Sequence, residues 1–135
     1  MAAETMAQAI PHRILIVDDV PSVREALRWL LDNEPDLEVV GEAGDGAQAL
    51  ERATLLAPDV VILDIELPDL DGYAVTRSLK RLPRPPLVIL LSVHGDGLSR
   101  QQGADAGSDG FIEKGTDWPQ IVAQIRQALA SQRRI

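Results

Sequence analysis

The chain has 135 residues, enough for one domain with a hydrophobic core. Hydrophobic residues make up 45% of it and charged residues 25%, a balance typical of globular proteins. The formal net charge of -8 argues against direct binding of nucleic acid or of an anionic membrane, and the absence of cysteine excludes disulfides and cysteine-ligated metals. No apolar run approaches the roughly 18 residues of a membrane span.

Short apolar runs alternate with segments of helical periodicity along the chain. Residues 1–11 are alanine-rich without a strong period, so we expect a disordered tail before a folded domain over 12–132. The apolar runs predict buried strands, the second of them shorter and nearer an edge, over 13–17, 37–40, 60–64, 87–92 and 110–114. The periodic segments predict helices over 21–33, 47–56, 73–82, 94–107 and from 116 or 117 onward. This alternation favours a parallel sheet covered by helices on both faces.

The fourth helical segment differs from the others because it is rich in glycine over residues 95–107. Each interior glycine costs a helix about 1 kcal/mol relative to alanine. We therefore expect this helix to be short or mobile.

Chemically reactive side chains follow four of the five predicted strands. The pair Asp18-Asp19, Asp64, Ser92 and Lys114 each stand where a strand ends. Because ligands bind at the carboxyl ends of strands in open parallel sheets, we expect these side chains to meet at one edge.

The three carboxylates at this edge predict a cation site. Ionised carboxylates about 4 Å apart repel by roughly 4 kcal/mol per pair at an effective dielectric constant near 20, so such a group either protonates or binds a cation. Oxygen ligands favour a hard ion; Mg2+ fits best, with Ca2+ as the alternative. A simpler interpretation is that Asp18-Asp19 only caps the following helix.

A hydroxyl and an ammonium at the same edge indicate that the site also handles an anion. Phosphoryl transfer requires a metal, positive charge near the phosphoryl oxygens and a nucleophile in line. Asp64 is the candidate nucleophile, because a carboxylate can form an aspartyl phosphate. Lys114 would neutralise charge and Ser92 would donate a hydrogen bond to a phosphoryl oxygen.

The chain resembles the receiver domains of two-component response regulators over about residues 12–130. The residues that carry the resemblance are Asp18-Asp19, Asp64-Ile65-Glu66-Leu67-Pro68, Asp71-Gly72, Ser92 and Phe111-Ile112-Glu113-Lys114. Residues 39–46 are similar to the NarL/FixJ type, whose members often carry a DNA-binding domain. The resemblance implies a CheY-like, flavodoxin-like (βα)5 fold with a five-stranded parallel sheet in the order 2-1-3-4-5.

The resemblance also implies a mechanism. Asp64 would accept a phosphoryl group from a sensor histidine kinase or a phosphotransfer protein, docked near residues 20–27. Asp19 and Asp64 would bind Mg2+ directly, Asp18 through water and Glu66 through its main-chain carbonyl. Ser92 and Phe111 would act as switch residues.

We therefore expect a cytoplasmic phosphorelay protein with a downstream effector. It would not act as an enzyme on other substrates, would not bind DNA through this domain, and would be a monomer or a homodimer.

Some residues depart from the family pattern or leave alternatives open. Gly115 stands where the family usually has proline, next to Lys114. His94 is a candidate for controlling water near Asp64, the alternative being a solvated loop residue.

The chain length favours a stand-alone receiver over a fragment. The competing functions are a Mg2+-dependent phosphohydrolase and a flavin-binding module.

Overall fold

The computed structural model describes residues 10–93 and 95–132. The expectations for His94 and for residues 1–9 of the tail therefore lie outside the described residues.

Strands and helices alternate along the chain. The strands are β1 (His12–Val17), β2 (Leu37–Ala43), β3 (Val60–Asp64), β4 (Leu87–Ser92) and β5 (Gly110–Glu113). The helices are α1 (Pro21–Asp32), α2 (Gly46–Leu56), α3 (Gly72–Leu79), α4 (Gly97–Ala106) and α5 (Trp118–Gln132).

The five strands form one sheet in the order β2-β1-β3-β4-β5, and each neighbouring pair is parallel. This is the flavodoxin-like arrangement, so the predicted fold class is confirmed. Every residue of β3 is buried, as expected for a central strand whose two faces are both covered by helices. The carboxyl ends of the strands consequently lie along one edge of the sheet.

Two hydrophobic clusters lie on opposite faces of the sheet. On one face, α1 and α5 pack through leucine, isoleucine and valine side chains such as Leu31 and Ile125. On the other face, α2 and α3 pack through smaller side chains such as Ala49 and Val75. Because successive residues of a strand point to opposite faces, the continuous apolar runs supply both clusters.

Strand β2 is an edge strand as predicted, but it extends to Ala43 and not only to residue 40. The register with β1 shifts by one residue: Ile14 pairs with Val39 and Leu15 pairs with Gly41, so Val40 is skipped in the pairing. Gly41 follows the shift, and a Cβ there would lie 2.7 Å from Leu56 Cδ1. The glycine lets the strand continue beneath α2, although glycine in a sequence normally indicates a strand end.

Helix α4 has ten residues, so of the two expectations for this segment a short helix was wrong, while its mobility stays a prediction. Its interior Gly103 faces β4, and a Cβ at that position would lie 2.9 Å from Leu90 Cδ1. Gly103 thus allows close packing of the helix on the sheet, which compensates for its low helix propensity.

Two other boundaries differ by a few residues from those predicted. Helix α3 ends at Leu79 and continues as turns to Leu82. Strand β5 ends at Glu113, one residue before Lys114. Within the described residues, no helix is both long and apolar enough to cross a membrane.

Candidate functional site

The predicted site residues follow the carboxyl ends of neighbouring strands. Asp18 comes directly after β1, Asp64 and Ser92 are the last residues of β3 and β4, and Lys114 comes directly after β5. The backbone N–H of Lys114 donates to the Ser92 carbonyl over 2.7 Å, which ties the β5 end to the β4 end. The structure therefore brings these residues to one edge of the sheet, as their positions in the sequence indicate.

Asp64 is a buried carboxylate held from two sides. Its side chain is 3% exposed. Oδ1 accepts a hydrogen bond from the backbone N–H of Glu66 (3.0 Å), and Oδ2 accepts one from Lys114 Nζ (3.1 Å). Burial raises the pKa of the Asp64 carboxyl and the Asp18 charge adds to that effect, while the two hydrogen bonds oppose it. The carboxylate is thus oriented but poorly solvated.

Lys114 links the two buried carboxylates. Its Nζ lies 3.0 Å from Asp18 Oδ2 as well as 3.1 Å from Asp64 Oδ2, and the side chain is 24% exposed. Burial on its own would lower the pKa of Lys114, but the contacts with Asp18 and Asp64 outweigh burial and raise it. Lys114 is therefore a fixed positive charge at the mouth of the acidic cluster.

The Asp18-Asp19 pair does not act as a helix cap. Helix α1 has Val20 at its N-cap position and no side-chain capping hydrogen bond. Asp18 is fully buried and its Oδ1 accepts from the Val20 backbone N–H over 2.9 Å, whereas Asp19 is exposed. The simpler capping interpretation of the pair is wrong.

The acidic residues form a cluster that fits a hard divalent cation. One carboxylate oxygen from each of Asp18, Asp19 and Asp64 lies within 4.8 Å of the others. Asp18 Oδ2 is buried, and among the described residues it has the ionic contact with Lys114 but no hydrogen bond of good geometry. A ligand set made only of carboxylate oxygens suits Mg2+ or Ca2+ better than a softer metal, and the Asp18 oxygen without a well-formed hydrogen bond is available to such an ion.

The candidate switch residues are placed on β4 and β5. Ser92 is buried and lies one position beyond Leu91, the residue that pairs with Asp64 across the β3–β4 ladder. Phe111 is half-buried, packs against the cluster on the α2–α3 face, and carries the Arg100 guanidinium 4.8 Å above its ring centroid. Their predicted roles remain predictions.

Glu66 is an exposed residue whose backbone N–H contacts the site. Glu66 also forms an isolated antiparallel β-bridge with Asp71. Its N–H is committed to Asp64 Oδ1. Participation of its carbonyl in metal binding stays a prediction.

The sequence does not indicate the contacts of two further residues, Arg24 and Asp69. Arg24 Nη1 on α1 donates to the main-chain carbonyl of Asp18 over 2.6 Å. Asp69, in the loop that follows β3, accepts hydrogen bonds from the backbone N–H groups of Gly46 (2.7 Å) and Ala47 (3.0 Å), and these bonds lower the pKa of Asp69. Arginine one turn into a helix and aspartate after proline are too common to indicate such contacts.

An apolar groove of about 540 Å³ opens beside Lys114. It lies between α1 and the start of α5. The apolar side chains that line it are Val23, Ala26, Leu27, Leu91, Trp118, Pro119 and Ile121. Lys114 therefore lines the groove and also contacts the acidic cluster.

The sequence matches the family model described as response regulator receiver domain over residues 14–126. It is 36% identical over 121 residues to the nitrate/nitrite response regulator protein NarP of Escherichia coli strain K12, covering 90% of this chain and 56% of that protein. It is 37% identical over 121 residues to a protein-glutamate methylesterase/protein-glutamine glutaminase of Alkalilimnicola ehrlichii, covering 85% of this chain and 31% of that protein. The chain thus spans about a third to a half of the length of these relatives.

Solved structures show the same fold. A LuxR-family two-component response regulator from Aurantimonas sp. SI85-9A1 superposes with a TM-score of 0.85 at 30% identity, covering 90% of this chain and 86% of that one. The response regulator domain of Thermotoga maritima CheB superposes with a TM-score of 0.82 at 32% identity, covering 89% and 97% respectively. The structural similarity thus includes a LuxR-family response regulator and the response regulator domain of a CheB protein.

Proposed function

This chain belongs to the response regulator receiver domain family, and from that premise we propose that it accepts a phosphoryl group on Asp64 and transmits a signal by changing conformation. The observation that carries the proposal is the buried Asp64 carboxylate, held by the Glu66 N–H and Lys114 beside two further acidic residues. Membership of the family implies a kinase that supplies the phosphoryl group and an effector that responds to it.

In the proposed reaction, an Asp64 oxygen attacks the phosphorus of a phosphohistidine on a sensor kinase or phosphotransfer protein. The new O–P bond forms as the P–N bond breaks, and the bonding electron pair returns to the imidazole, which takes up a proton. Attack requires ionised Asp64, and the hydrogen bonds from Glu66 and Lys114 favour that form against the effect of burial.

We propose that Asp19, Asp64 and the Glu66 main-chain carbonyl bind Mg2+ directly and that Asp18 does so through water. The bound cation would offset the negative charge of the phosphoryl oxygens. Lys114 lies within ion-pair distance of both buried carboxylates, so it can shift toward a phosphoryl oxygen without leaving the site.

The proposed switch includes Ser92 and Phe111. A change from 1:99 to 99:1 in a two-state equilibrium requires about 5.5 kcal/mol of differential stabilisation. Hydrogen bonds from Ser92 and Lys114 to a phosphoryl group are charge-assisted and supply part of it. Ser92 and Phe111 lie on adjacent strands, where Ser92 pairs with Glu113 and Phe111 pairs with Leu90, so the two residues are two register positions apart.

We propose that the phosphodonor docks on α1. The apolar groove beside Lys114 gives a partner helix a surface to bury next to the residue that contacts Asp64. As the resemblance implies, we place the reaction in the cytoplasm, with no nucleic acid bound by this domain, and with a homodimer as an alternative to the monomer.

Labelling by a small phosphodonor tests the proposal. We expect acetyl phosphate with Mg2+ to add one phosphoryl group to the intact protein, as measured by mass spectrometry. Asp64→Asn should remain unlabelled, while Asp105→Asn, which changes an exposed carboxylate on α4, should be labelled like the parent.

Labelling of Asp64→Asn, or labelling without Mg2+, would contradict the proposal. Rapid multiple turnover of an organic phosphate would instead favour the phosphohydrolase. A bound flavin spectrum together with absent labelling would favour the flavin-binding module.

A further inference from the structure

We propose that Arg24 is a positioning residue that fixes the Asp18–Asp19 peptide for cation binding. The inference rests on the proposed function, because it concerns the same acidic cluster. Arg24 lies on α1 and contacts none of the three carboxylates through a described hydrogen bond or ion pair. Its effect is therefore exerted through the main chain.

Arg24 joins the end of β1 to β2. Its Nη1 donates to the Asp18 carbonyl oxygen over 2.6 Å, and its Nε donates to Glu42 Oε1 over 3.2 Å. The Asp18 carbonyl belongs to the peptide bond between Asp18 and Asp19. The side chain is 21% exposed, so both bonds are shielded from competition with water.

The other side of Asp18 is held by the same part of β2. The Asp18 N–H donates to the Ala43 carbonyl over 3.1 Å, one residue after Glu42. Gly44 passes close by, and a Cβ there would lie 3.4 Å from Arg24 Nη1. Both backbone polar groups of Asp18 are thus bound, one directly to β2 and the other through Arg24.

The peptide orientation matters because Asp19 is exposed, whereas Asp18 is enclosed by the protein. The direction of its carboxylate depends on the plane of the peptide that Arg24 fixes. Mg2+ demands near-ideal octahedral geometry, so small errors in ligand position weaken binding. Loss of an outer hydrogen bond to a metal site typically costs about 10–100-fold in affinity.

Charge alone does not account for Arg24. Arg24 shares the Glu42 carboxylate with Arg28, and Arg28 also lies 4.0 Å from Asp32, so the two arginines and the two acidic residues balance in charge. The specific feature of Arg24 is that one planar guanidinium donates in two directions, to a carboxylate and to a carbonyl. Arg28 shares the first interaction but not the second, which makes it a matched control.

The test is Mg2+ binding to the full chain by calorimetry, without a phosphodonor. We expect Arg24→Gln and Arg24→Met to weaken Mg2+ binding by about 10–100-fold, and Arg28→Gln by less than about 2-fold. Arg24→Met keeps the apolar stem, so it provides the measurement if Arg24→Gln does not fold. Thermal unfolding without Mg2+ identifies the folded temperature range of each variant.

A second readout separates positioning from a general structural role. Because Asp64 and Lys114 are unchanged, saturating Mg2+ should restore labelling of the Arg24 variants by acetyl phosphate to the parent rate. Parent-like Mg2+ affinity of both Arg24 variants, equal loss in Arg28→Gln, or labelling that excess Mg2+ does not restore would each overturn the inference. If the parent itself binds no Mg2+, the proposed function fails first.

Discussion

Lys114 Nζ lies 3.1 Å from Asp64 Oδ2, although 50 positions separate the two residues in the chain. The ammonium is the one positively charged group in contact with both buried carboxylates among the described residues. Without Mg2+ it therefore supports the folded state as well as the proposed chemistry.

Lys114→Met should reduce the free energy of unfolding at pH 7 without Mg2+ by about 1–3 kcal/mol, because it leaves Asp18 and Asp64 buried without their cation. Added Mg2+ should stabilise this variant more than it stabilises the parent, since it restores positive charge to the cluster. Urea unfolding measures both effects. Arg77→Met, which removes an exposed cation from α3, is the control and should change little. If Lys114→Met had the same free energy of unfolding as the parent, the ionic contacts of Lys114 would contribute nothing to stability.

Asp19→Asn should separate cation binding from folding. Because Asp19 is exposed, its replacement should change the free energy of unfolding by no more than about 0.5 kcal/mol. The affinity for Mg2+ should fall at least tenfold, which is about 1.4 kcal/mol or more of binding free energy. Mg2+-dependent labelling of Asp64 should also fall at least tenfold. Calorimetry and intact mass measure these quantities. Undiminished affinity would remove Asp19 from the proposed ligand set.

Two glycines of α4 should respond to alanine in opposite directions. Gly97 is exposed at the first helical position with nothing within 4 Å of an added Cβ, so Gly97→Ala should stabilise the protein by about 0.5 kcal/mol. Gly103→Ala should destabilise it by about 1 kcal/mol, because its Cβ would lie 2.9 Å from the buried Leu90. Thermal and urea unfolding provide the comparison. Stabilisation by both changes would show that the α4–β4 packing is looser than described.

Arg126 should contribute pH-dependent stability. It donates to Asp36 Oδ1 and Oδ2 at 2.6 and 2.9 Å, and this contact chiefly lowers the pKa of Asp36 below 3.8. The contribution is therefore complete above the unfolded-state pKa and is lost as the pH falls through the lowered folded-state pKa.

Because both side chains are more than 40% exposed, the ion pair should be worth only about 0.5 kcal/mol. We expect Arg126→Gln to lose that amount in urea unfolding at pH 7 and progressively less as the pH falls below about 4. Arg77→Gln at the same ionic strength serves as the control. A difference that grew on acidification would have the wrong sign for this ion pair.

Much of the fold follows from local patterns. The apolar runs that end at Val17, Asp64 and Ser92 give the strands and also fix which end of each strand carries reactive residues. Parallel pairing then brings those ends together without further information. This is why the location of Asp64 beside Lys114 follows from sequence order.

What the sequence did not predict depends on contacts between distant side chains and main-chain atoms. The extension of β2 past Val40 needs Gly41 to pass under Leu56, and the ten-residue α4 needs Gly103 to pack on Leu90. In both cases a glycine that normally indicates a break instead permits close packing. Composition and periodicity do not distinguish these two uses of glycine.

The hydrogen bonds from Gly46 and Ala47 to Asp69 have a consequence for observing the site in solution. These two amides begin α2, yet their protection from solvent deuterium depends on a carboxylate in the loop that leaves Asp64. Movement of that loop therefore changes their exchange rates, while the Gln48 amide stays bound to Asp45 Oδ1 and the later amides of α2 stay protected by backbone hydrogen bonds. The exchange rates of the Gly46 and Ala47 amides thus report on the conformation of the loop, and no residue of the reactive site has to be labelled or replaced.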